Sequence, residues 1–153
     1  MSEVKAIPDG YEGVIPYLTC KNAADAIEFY KKAFGAEELF RIGEQGTVGH
    51  AEMKIGNAIF MLADEHPDLE IHSPQSFGGT PVSMMFYVTD VDAFTERAVA
   101  AGLEVERPVE DQFYGDRMGF FKDPFGHKWA IATHTRDVSP IEMNQKAKEM
   151  YSS

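Results

Sequence analysis

Residues 16–38 read PYLTCKNAADAIEFYKKAFGAEE and combine a short strand pattern with a complete helix pattern. Residues 14–20 are apolar and partly β-branched, as is usual in a strand, and Pro16 favours a strand start or a sheet edge. Asn22 is a suitable N-cap, Gly35 stands where a C-terminal glycine belongs, and apolar residues recur between them at helical spacing. The stretch therefore predicts a strand that leads directly into a helix.

The same order returns in the second half of the chain. Tyr17-Leu18-Thr19 lies 70 residues before Tyr87-Val88-Thr89, and each strand–helix pair is followed by three β-prone segments. Three consecutive strands after each helix argue against a doubly wound parallel sheet. Repetition at this spacing predicts two tandem βαβββ units. The predicted strands are 14–20, 38–42, 47–55, 58–63, 82–89, 104–107, 117–122 and 128–134, and the predicted helices follow Asn22 and Asp90 and end at Gly35 and Gly102.

A chain of 153 residues is long enough for one domain and too short for two of the usual size. We expect residues 1–153 to form that domain, with unit one at 11–65 and unit two at 82–138. Residues 64–81 form a long polar linking loop, and loops of this length are usually functional or mobile. A capping-box pattern at Ser139-Pro140-Ile141-Glu142 predicts a further helix at 140–150.

Composition excludes several classes of partner. The formal net charge of −11 argues against nucleic acid or an anionic membrane as a partner, and no apolar run approaches the roughly 20 residues of a membrane helix.

The single cysteine, Cys20, cannot form an internal disulfide and lies in an apolar strand, so we expect a buried thiol. The first residues, Met1 to Lys5, lack a signal-peptide pattern, and the expected location is cytoplasmic.

Two stretches carry a family resemblance. The opening PYLTCKNAADAIEFYKKAFGAEE and the closing DRMGFFKDPFGHKWAIATH, residues 116–134, resemble a glyoxalase/bleomycin-resistance (vicinal oxygen chelate) domain. With MLADE, PVSMMFYVTDVD and QFYGDR between them, the chain most resembles the PhnB-like branch over about residues 11–138. The resemblance implies an α+β fold in which the two units form a curled mixed sheet around a cavity, with the helices on its convex side.

The metal positions of that superfamily are altered in this chain. Enzymes such as glyoxalase I place ligands on the first and last strand of each unit, and the resemblance puts these positions at Ile15, Met61, Ser83 and Ala130. None of the four is His or Glu, and Ile, Met and Ala offer no suitable donor atom for a divalent cation. We therefore predict no metal and no cofactor, which disfavours glyoxalase or dioxygenase activity and favours a metal-free binding cavity, as in drug-sequestering members.

The strand at 48–55 alternates apolar and polar side chains, with His50 and Glu52 on its polar face. If the apolar face packs under the helices, His50 and Glu52 point into the cavity as an acid/base pair, or as two ligands of an atypical divalent-metal site. The alternative is a strand with one solvated face. These two residues are the candidate catalytic residues.

Other residues are candidates for binding a ligand. Tyr114 and Arg117 belong to an aromatic segment before a predicted strand, where an arginine can hold a carboxylate or phosphate, or can instead form an internal ion pair with Asp116 or Asp123. The alternation of side chains along the predicted strands also places apolar and aromatic residues on one wall of the cavity, with ordinary core packing as the alternative. Its members are Tyr17, Thr19, Met61, Met85 and Tyr87.

An acidic, histidine-bearing loop and one further histidine have simpler explanations than a functional site. The loop residues Glu65, His66, Asp68, Glu70 and His72 resemble a metal-binding cluster, but a solvated loop is favoured. By alternation with Ala130 and Ala132, His134 near the end of the last strand could face the mouth of the cavity, but a surface position is favoured.

The sequence favours a protein that binds a small organic molecule in the cavity between the units, without the glyoxalase-type metal site. The alternative is a divalent-metal-dependent lyase or isomerase of the lactoylglutathione lyase type with relocated ligands. A homodimer is also expected, because sheet edges invite pairing and the C-terminal helix carries apolar residues.

Overall fold

The computed structural model describes residues 3–152. Met1, Ser2 and Ser153 of the predicted domain lie outside the described residues. All eight predicted strands and the three predicted helices are present, which confirms the α+β class and the two βαβββ units. The strands are β1 Tyr17–Cys20, β2 Glu37–Ile42, β3 His50–Ile55, β4 Ala58–Asp64, β5 Ser83–Tyr87, β6 Glu104–Asp111, β7 Asp116–Lys122 and β8 Lys128–His134. The helices are α1 Ala23–Phe34, α2 Pro74–Phe77, α3 Val91–Ala100 and α4 Pro140–Tyr151.

The described residues divide into two compact units. The first contains the chain up to Pro81 together with Pro124–His127, and the second contains Val82–Asp123 and the chain from Lys128 onward. Each unit has its own four-stranded mixed sheet, with strand orders β1-β4-β3-β2 and β5-β8-β7-β6. In both sheets the first and last strands of the unit pair in parallel, and the other neighbours pair antiparallel.

Helix α1 begins and ends as its sequence predicts. The Asn22 side chain accepts a hydrogen bond from the Asp25 N–H, and Gly35 ends the helix in the left-handed conformation at φ 67°. Asp64, the last residue of β4, accepts hydrogen bonds from the N–H groups of Ala23 and Val48, both at 2.7 Å. One carboxylate therefore ties the start of α1 and the segment before β3 to the end of β4.

The register of the first sheet separates its side chains into two sets. Leu18 pairs with Leu62, and both are at most 5% exposed because they lie on the face that α1 covers. Tyr17 pairs with Met61, and successive strand residues alternate between faces, so these two lie on the opposite face. We call this face, opposite α1, the open face of the first sheet.

The second sheet follows the same arrangement. Phe86 contacts Phe94 of α3 with ring centroids 5.5 Å apart, which places Phe86 on the face covered by the helix. Met85 and Tyr87 alternate with it and pair with Ala130 and Ala132. They lie on the open face of the second sheet, opposite α3.

Several element bounds differ from those predicted. Strand β1 begins at Tyr17, three residues later than predicted. Strand β6 continues past Pro108 to Asp111. It is an edge strand that pairs only with β7, and an edge strand tolerates a proline and bulges. Helix α3 ends at Ala100 with Ala101 as its C-cap, one residue before the predicted glycine. No helix among residues 3–152 is long and apolar enough to span a membrane.

The linking segment is more ordered than a polar loop. It contains a 3-10 turn at Pro67–Leu69 and the short helix α2. Hydrogen bonds from Ser73 and then from Ser76, in the first turn of α2, lower the pKa of Glu65 to about 2. Glu65 therefore holds α2 in place, which explains an acidic side chain in this part of the loop.

We predict opposite consequences for two neighbouring residues of β4. Leu62 is completely buried beneath α1, so Leu62→Ala should lower the free energy of unfolding by about 2–5 kcal/mol through lost contacts and a cavity. Met61 lies on the open face, so Met61→Ala should cost about 1 kcal/mol or less. Urea denaturation of both variants checks the register, and a larger loss for Met61→Ala would contradict it.

Candidate functional site

The open face of the first sheet carries a chain of hydrogen bonds between four side chains, which we call the Tyr17 cluster: Tyr11, Tyr17, His50 and Glu52. Tyr17 comes from β1, His50 and Glu52 from β3, and Tyr11 from the segment before β1. Met61 of β4 pairs with both Tyr17 and Glu52, so the register brings these strands' side chains to one face.

Hydrogen bonds fix the order of donors and acceptors in the Tyr17 cluster. His50 Nε2 lies 2.7 Å from Glu52 Oε2, and since a carboxylate only accepts, Nε2 carries the proton. In the neutral imidazole Nδ1 is then the acceptor, and it lies 2.6 Å from the Tyr17 hydroxyl, which donates. The result is a phenol–imidazole–carboxylate relay that ends in an exposed tyrosine.

Glu52 is the buried end of this relay. Its side chain is 8% exposed and accepts from the Tyr11 hydroxyl at 2.5 Å as well as from His50. Burial raises the pKa of Glu52, but the hydrogen bonds from His50 and Tyr11 outweigh burial and lower it. Glu52 thus stays ionised and well bonded in a buried position.

Tyr17 is the exposed end and is 54% exposed. Burial of part of its ring and then the charge of Glu52 raise the pKa of Tyr17, so the phenol stays protonated. The His50 ring lies between the rings of Tyr17 and Phe40, with centroids 5.4 and 5.8 Å away. The cluster therefore presents a hydroxyl oxygen with a fixed orientation, able to accept a hydrogen bond, beside aromatic surface.

Thr19 and Met61 complete the first-unit residues proposed from the sequence. Thr19 lies two residues beyond Tyr17 on β1, and its carbonyl accepts a hydrogen bond from His127 Nε2 at 2.9 Å. Met61 is partly buried between the strands that carry Tyr17 and Glu52. The structure thus brings all five first-unit candidates, Tyr17, Thr19, His50, Glu52 and Met61, to one face.

The open face of the second sheet carries a different network, the Asp116 cluster: Tyr87, Asp116, His134 and Asp137. Asp116 begins β7, pairs with His134 at the end of β8, and is 6% exposed. Its Oδ2 accepts from the Tyr87 hydroxyl at 2.8 Å, and its Oδ1 lies 2.8 Å from His134 Nδ1. His134 Nε2 lies 2.8 Å from Asp137, so both ring nitrogens face carboxylates.

Charge in this cluster favours protonated side chains. Hydrogen bonds to Asp137 and then to Asp116 raise the pKa of His134 above its usual value. The hydrogen bond to Asp116 raises the pKa of Tyr87, and burial followed by the charge of Asp116 raises that of Tyr114. Tyr114 also packs on Met118, Ala130 and Ala132 of the same face.

Comparison with known proteins identifies the family of this fold. A model of the Glyoxalase/Bleomycin resistance protein/Dioxygenase superfamily matches residues 14–131. The chain belongs to this superfamily. An uncharacterized protein of Mycobacterium tuberculosis is 44% identical to it over 132 residues, which cover 84% of this chain and 78% of that protein.

Solved structures agree with this family. The crystal structure of TioX from Micromonospora sp. ML1 matches with a TM-score of 0.64 and 27% identity, over 80% of this chain and 99% of TioX. The X-ray structure of a gene product from Arabidopsis thaliana matches with a TM-score of 0.65 and 27% identity, over 80% of this chain and 98% of that one. The sequence resemblance to the superfamily is therefore confirmed.

The superfamily's metal positions do not fit a divalent cation in this chain. Ile15 precedes β1, Met61 and Ala130 lie on the open faces, and Ser83 begins β5. Three of these side chains lack an oxygen or nitrogen donor, and the fourth offers only a hydroxyl. Among residues 3–152, no group of three or more His, Cys, Asp or Glu side chains is arranged to hold a metal ion.

Arg117 lies apart from the other candidates. It follows Asp116 on β7 and so points to the face covered by α3, where it donates to Asp92 at 2.8 and 3.0 Å and to Asp111 at 3.3 Å. The predicted ion-pair partners were wrong, because Asp116 bonds Tyr87 and His134, and Asp123 accepts from Trp129 Nε1.

Sequence reasoning missed Tyr11, Asp116 and Asp137 as members of these clusters. Alternation with Met118 would have placed Asp116 on the open face, as it placed His50 and Glu52. No periodic signal marks Tyr11 or Asp137, since both lie outside strands.

We predict that His134 titrates above the usual histidine pKa of 6.5. Because folding raises this pKa, the protonated imidazole stabilises the fold below pH 6.5, and the contribution is lost as pH rises through the folded-state pKa. NMR titration of the ring nitrogens measures the pKa, and Asp137→Asn should lower it by removing the stronger partner. A wild-type pKa at or below 6.5 would contradict the arrangement.

Proposed function

We propose that this superfamily member binds a small organic molecule on the open face of the first sheet, with the Tyr17 hydroxyl oxygen as the acceptor that orients it. The observation that carries the proposal is the relay from buried Glu52 through His50 to exposed Tyr17. A hydroxyl whose proton is already donated to His50 keeps its oxygen lone pairs in one direction, which lowers the entropic cost of binding a donor group beside it.

Exposed aromatic surface supports the same proposal. Tyr17 and Phe40 are 54% and 44% exposed, which disfavours ordinary core packing within the chain. With Met61 they form a wall for an apolar or aromatic body, and ligand sites combine such walls with a few fixed polar groups. Met85, Tyr87 and Tyr114 offer similar surface on the second sheet. Their role in binding, and membership of the PhnB-like branch, stay predictions.

The alternative is a divalent-metal-dependent lyase or isomerase with His50 and Glu52 as relocated ligands. Both ring nitrogens of His50 and both oxygens of Glu52 are engaged by neighbouring side chains, so a metal would have to displace the relay. Elemental analysis, repeated after incubation with nickel, zinc and manganese, separates the two functions. A stoichiometric metal that is lost in His50→Ala would favour the lyase.

Tyr17→Phe tests the proposal, because it removes only the exposed hydroxyl. Aromatic fragments that carry a hydrogen-bond donor, screened by ligand-observed NMR, should bind the wild type and bind Tyr17→Phe about fivefold more weakly, the factor for one lost hydrogen bond. Its melting temperature should hardly change, since exposed substitutions move stability by about 0.5 kcal/mol or less. Glu52→Gln is a poorer test, because Glu52 is buried between two donors.

Tyr151→Phe is the matched control, because it removes the same atom from a tyrosine of α4 that is 80% exposed. Fragments that bind Tyr17→Phe and the wild type equally would overturn the proposal. Spectral changes confined to residues of the second unit would overturn it as well.

We also propose that the protein forms a homodimer through α4. The helix has no buried residue, and Ile141 and Met150 are 81% and 55% exposed, so its apolar side is free to pack on a second copy. Static light scattering should give about twice the 17.1 kDa chain mass. Deletion of residues 140–153 should give a folded monomer, since it keeps Asp137 and the buried Val138.

Ile141→Asp should weaken the dimer in the same way without shortening the chain. A wild-type monomer at tens of micromolar, or a dimer that survives the deletion, would contradict this assembly.

A further inference from the structure

A pocket of about 380 Å³ lies within the second unit, apart from the Asp116 cluster. Its lining includes Ser83 at the start of β5 and Lys128 at the start of β8, which pair with each other. Arg107 of β6 and Phe120 of β7 also line it and pair with each other. The pocket therefore spans all four strands at the end of the sheet where β5 begins, whereas Asp116 lies at the other end.

The charge of this pocket differs from that of the chain. The chain has 25 acidic and 14 basic residues, but the pocket has two cations, Arg107 and Lys128, and one carboxylate, Glu106. Lys128 Nζ lies 3.7 Å from Glu106, with both side chains more than 30% exposed, so this ion pair is weak. No ion pair joins Arg107 to a carboxylate in the part of the chain that the structure describes.

Arg107 is held in place by an aromatic ring instead. Its guanidinium carbon lies 5.4 Å from the centroid of Phe120, and Phe120 packs on Met118, Ala130 and Ala132. A cation over an aromatic face is attracted to it without using its N–H groups. The N–H groups of Arg107 therefore stay available to a ligand, and a guanidinium can pair with a carboxylate through two parallel hydrogen bonds.

We propose that this pocket binds a small aromatic carboxylate. Arg107 pairs with the carboxylate, Lys128 adds a second positive charge, and Ser83 supplies a hydroxyl. Phe120 supplies surface for a flat apolar body. The volume lies within the usual range of small-molecule sites, about 300–1,000 Å³. The proposal does not depend on the Tyr17 cluster, which belongs to the other unit.

Benzoate is the probe, with benzamide as its neutral counterpart, in NMR titrations of the full chain. Benzoate should shift the backbone signals of Ser83, Arg107 and Lys128 in a saturable way, and benzamide should not. Arg107→Ala should weaken benzoate binding by about tenfold or more, the factor for a lost charge-assisted hydrogen bond. Glu106→Gln should tighten binding, because it removes the carboxylate that competes for Lys128.

Arg136→Ala is the matched control. Arg136 belongs to the same unit, lies 3.8 Å from Glu142 and does not line the pocket, so the substitution removes one arginine charge without removing a pocket residue. Benzoate affinity should stay near the wild-type value in this variant. Arg107 is exposed, so circular dichroism of Arg107→Ala should match the wild type.

Three results would overturn the proposal: no saturable benzoate binding, equal binding of benzamide, or equal losses in Arg107→Ala and Arg136→Ala. The last result would show a response to net charge alone. Weaker binding in Glu106→Gln would also contradict the role given to Lys128.

Discussion

The parallel pairing of the first strand with the last strand in each unit decides which side chains reach the open face. In the first unit this register sets Leu18 beside Leu62 under α1 and leaves Tyr17 beside Met61 on the other side. A slip of one residue would expose the leucines and bury the tyrosine, because strand side chains alternate. Burial of apolar residues beneath the helix thus fixes the position of the polar groups, although those groups contribute little to the core.

The two units use this common frame for different chemistry. In each, the hydroxyl of the first-strand tyrosine contacts the first residue of the third strand: Tyr17 contacts His50, and Tyr87 contacts Asp116. The first unit places its carboxylate two residues further along the same strand, at Glu52, whereas the second takes its imidazole from the neighbouring strand, at His134. The tyrosine hydroxyl contacts an imidazole nitrogen in one unit and a carboxylate oxygen in the other. Of the two clusters, only the first links a buried carboxylate to an exposed phenol through an imidazole, in the order Glu52, His50 and Tyr17.

Local sequence patterns predicted most of the helices and strands, because helix caps and strand alternation depend on residues that are close in sequence. Asn22 and Gly35 mark α1 through hydrogen bonds and backbone conformation within the helix, and alternation placed His50 and Glu52 on one face. The hydrogen-bond and ion-pair partners of polar side chains could not be predicted from such local patterns. Arg117 has five aspartates within 25 residues. Its pairing with Asp92 rather than Asp116 depends on the face to which each side chain points and on the position of α3. Tyr11 contacts Glu52 across 41 residues, and no periodicity encodes such a contact.

The two candidate binding surfaces depend on different physical terms. The Tyr17 cluster offers a neutral acceptor, because the raised pKa keeps the phenol protonated and the proton is donated to His50, so its contribution depends on direction rather than on charge. The Arg107 pocket must attract an anion to a chain with a net charge of −11, and the field of the whole molecule opposes that approach. At physiological ionic strength charges are screened beyond about 8 Å, so this repulsion acts weakly at a distance, and the nearest groups dominate once a ligand is bound. Recognition of an anion on so acidic a protein therefore depends on the contact geometry of Arg107 on Phe120, and hence on the apolar packing that holds Phe120.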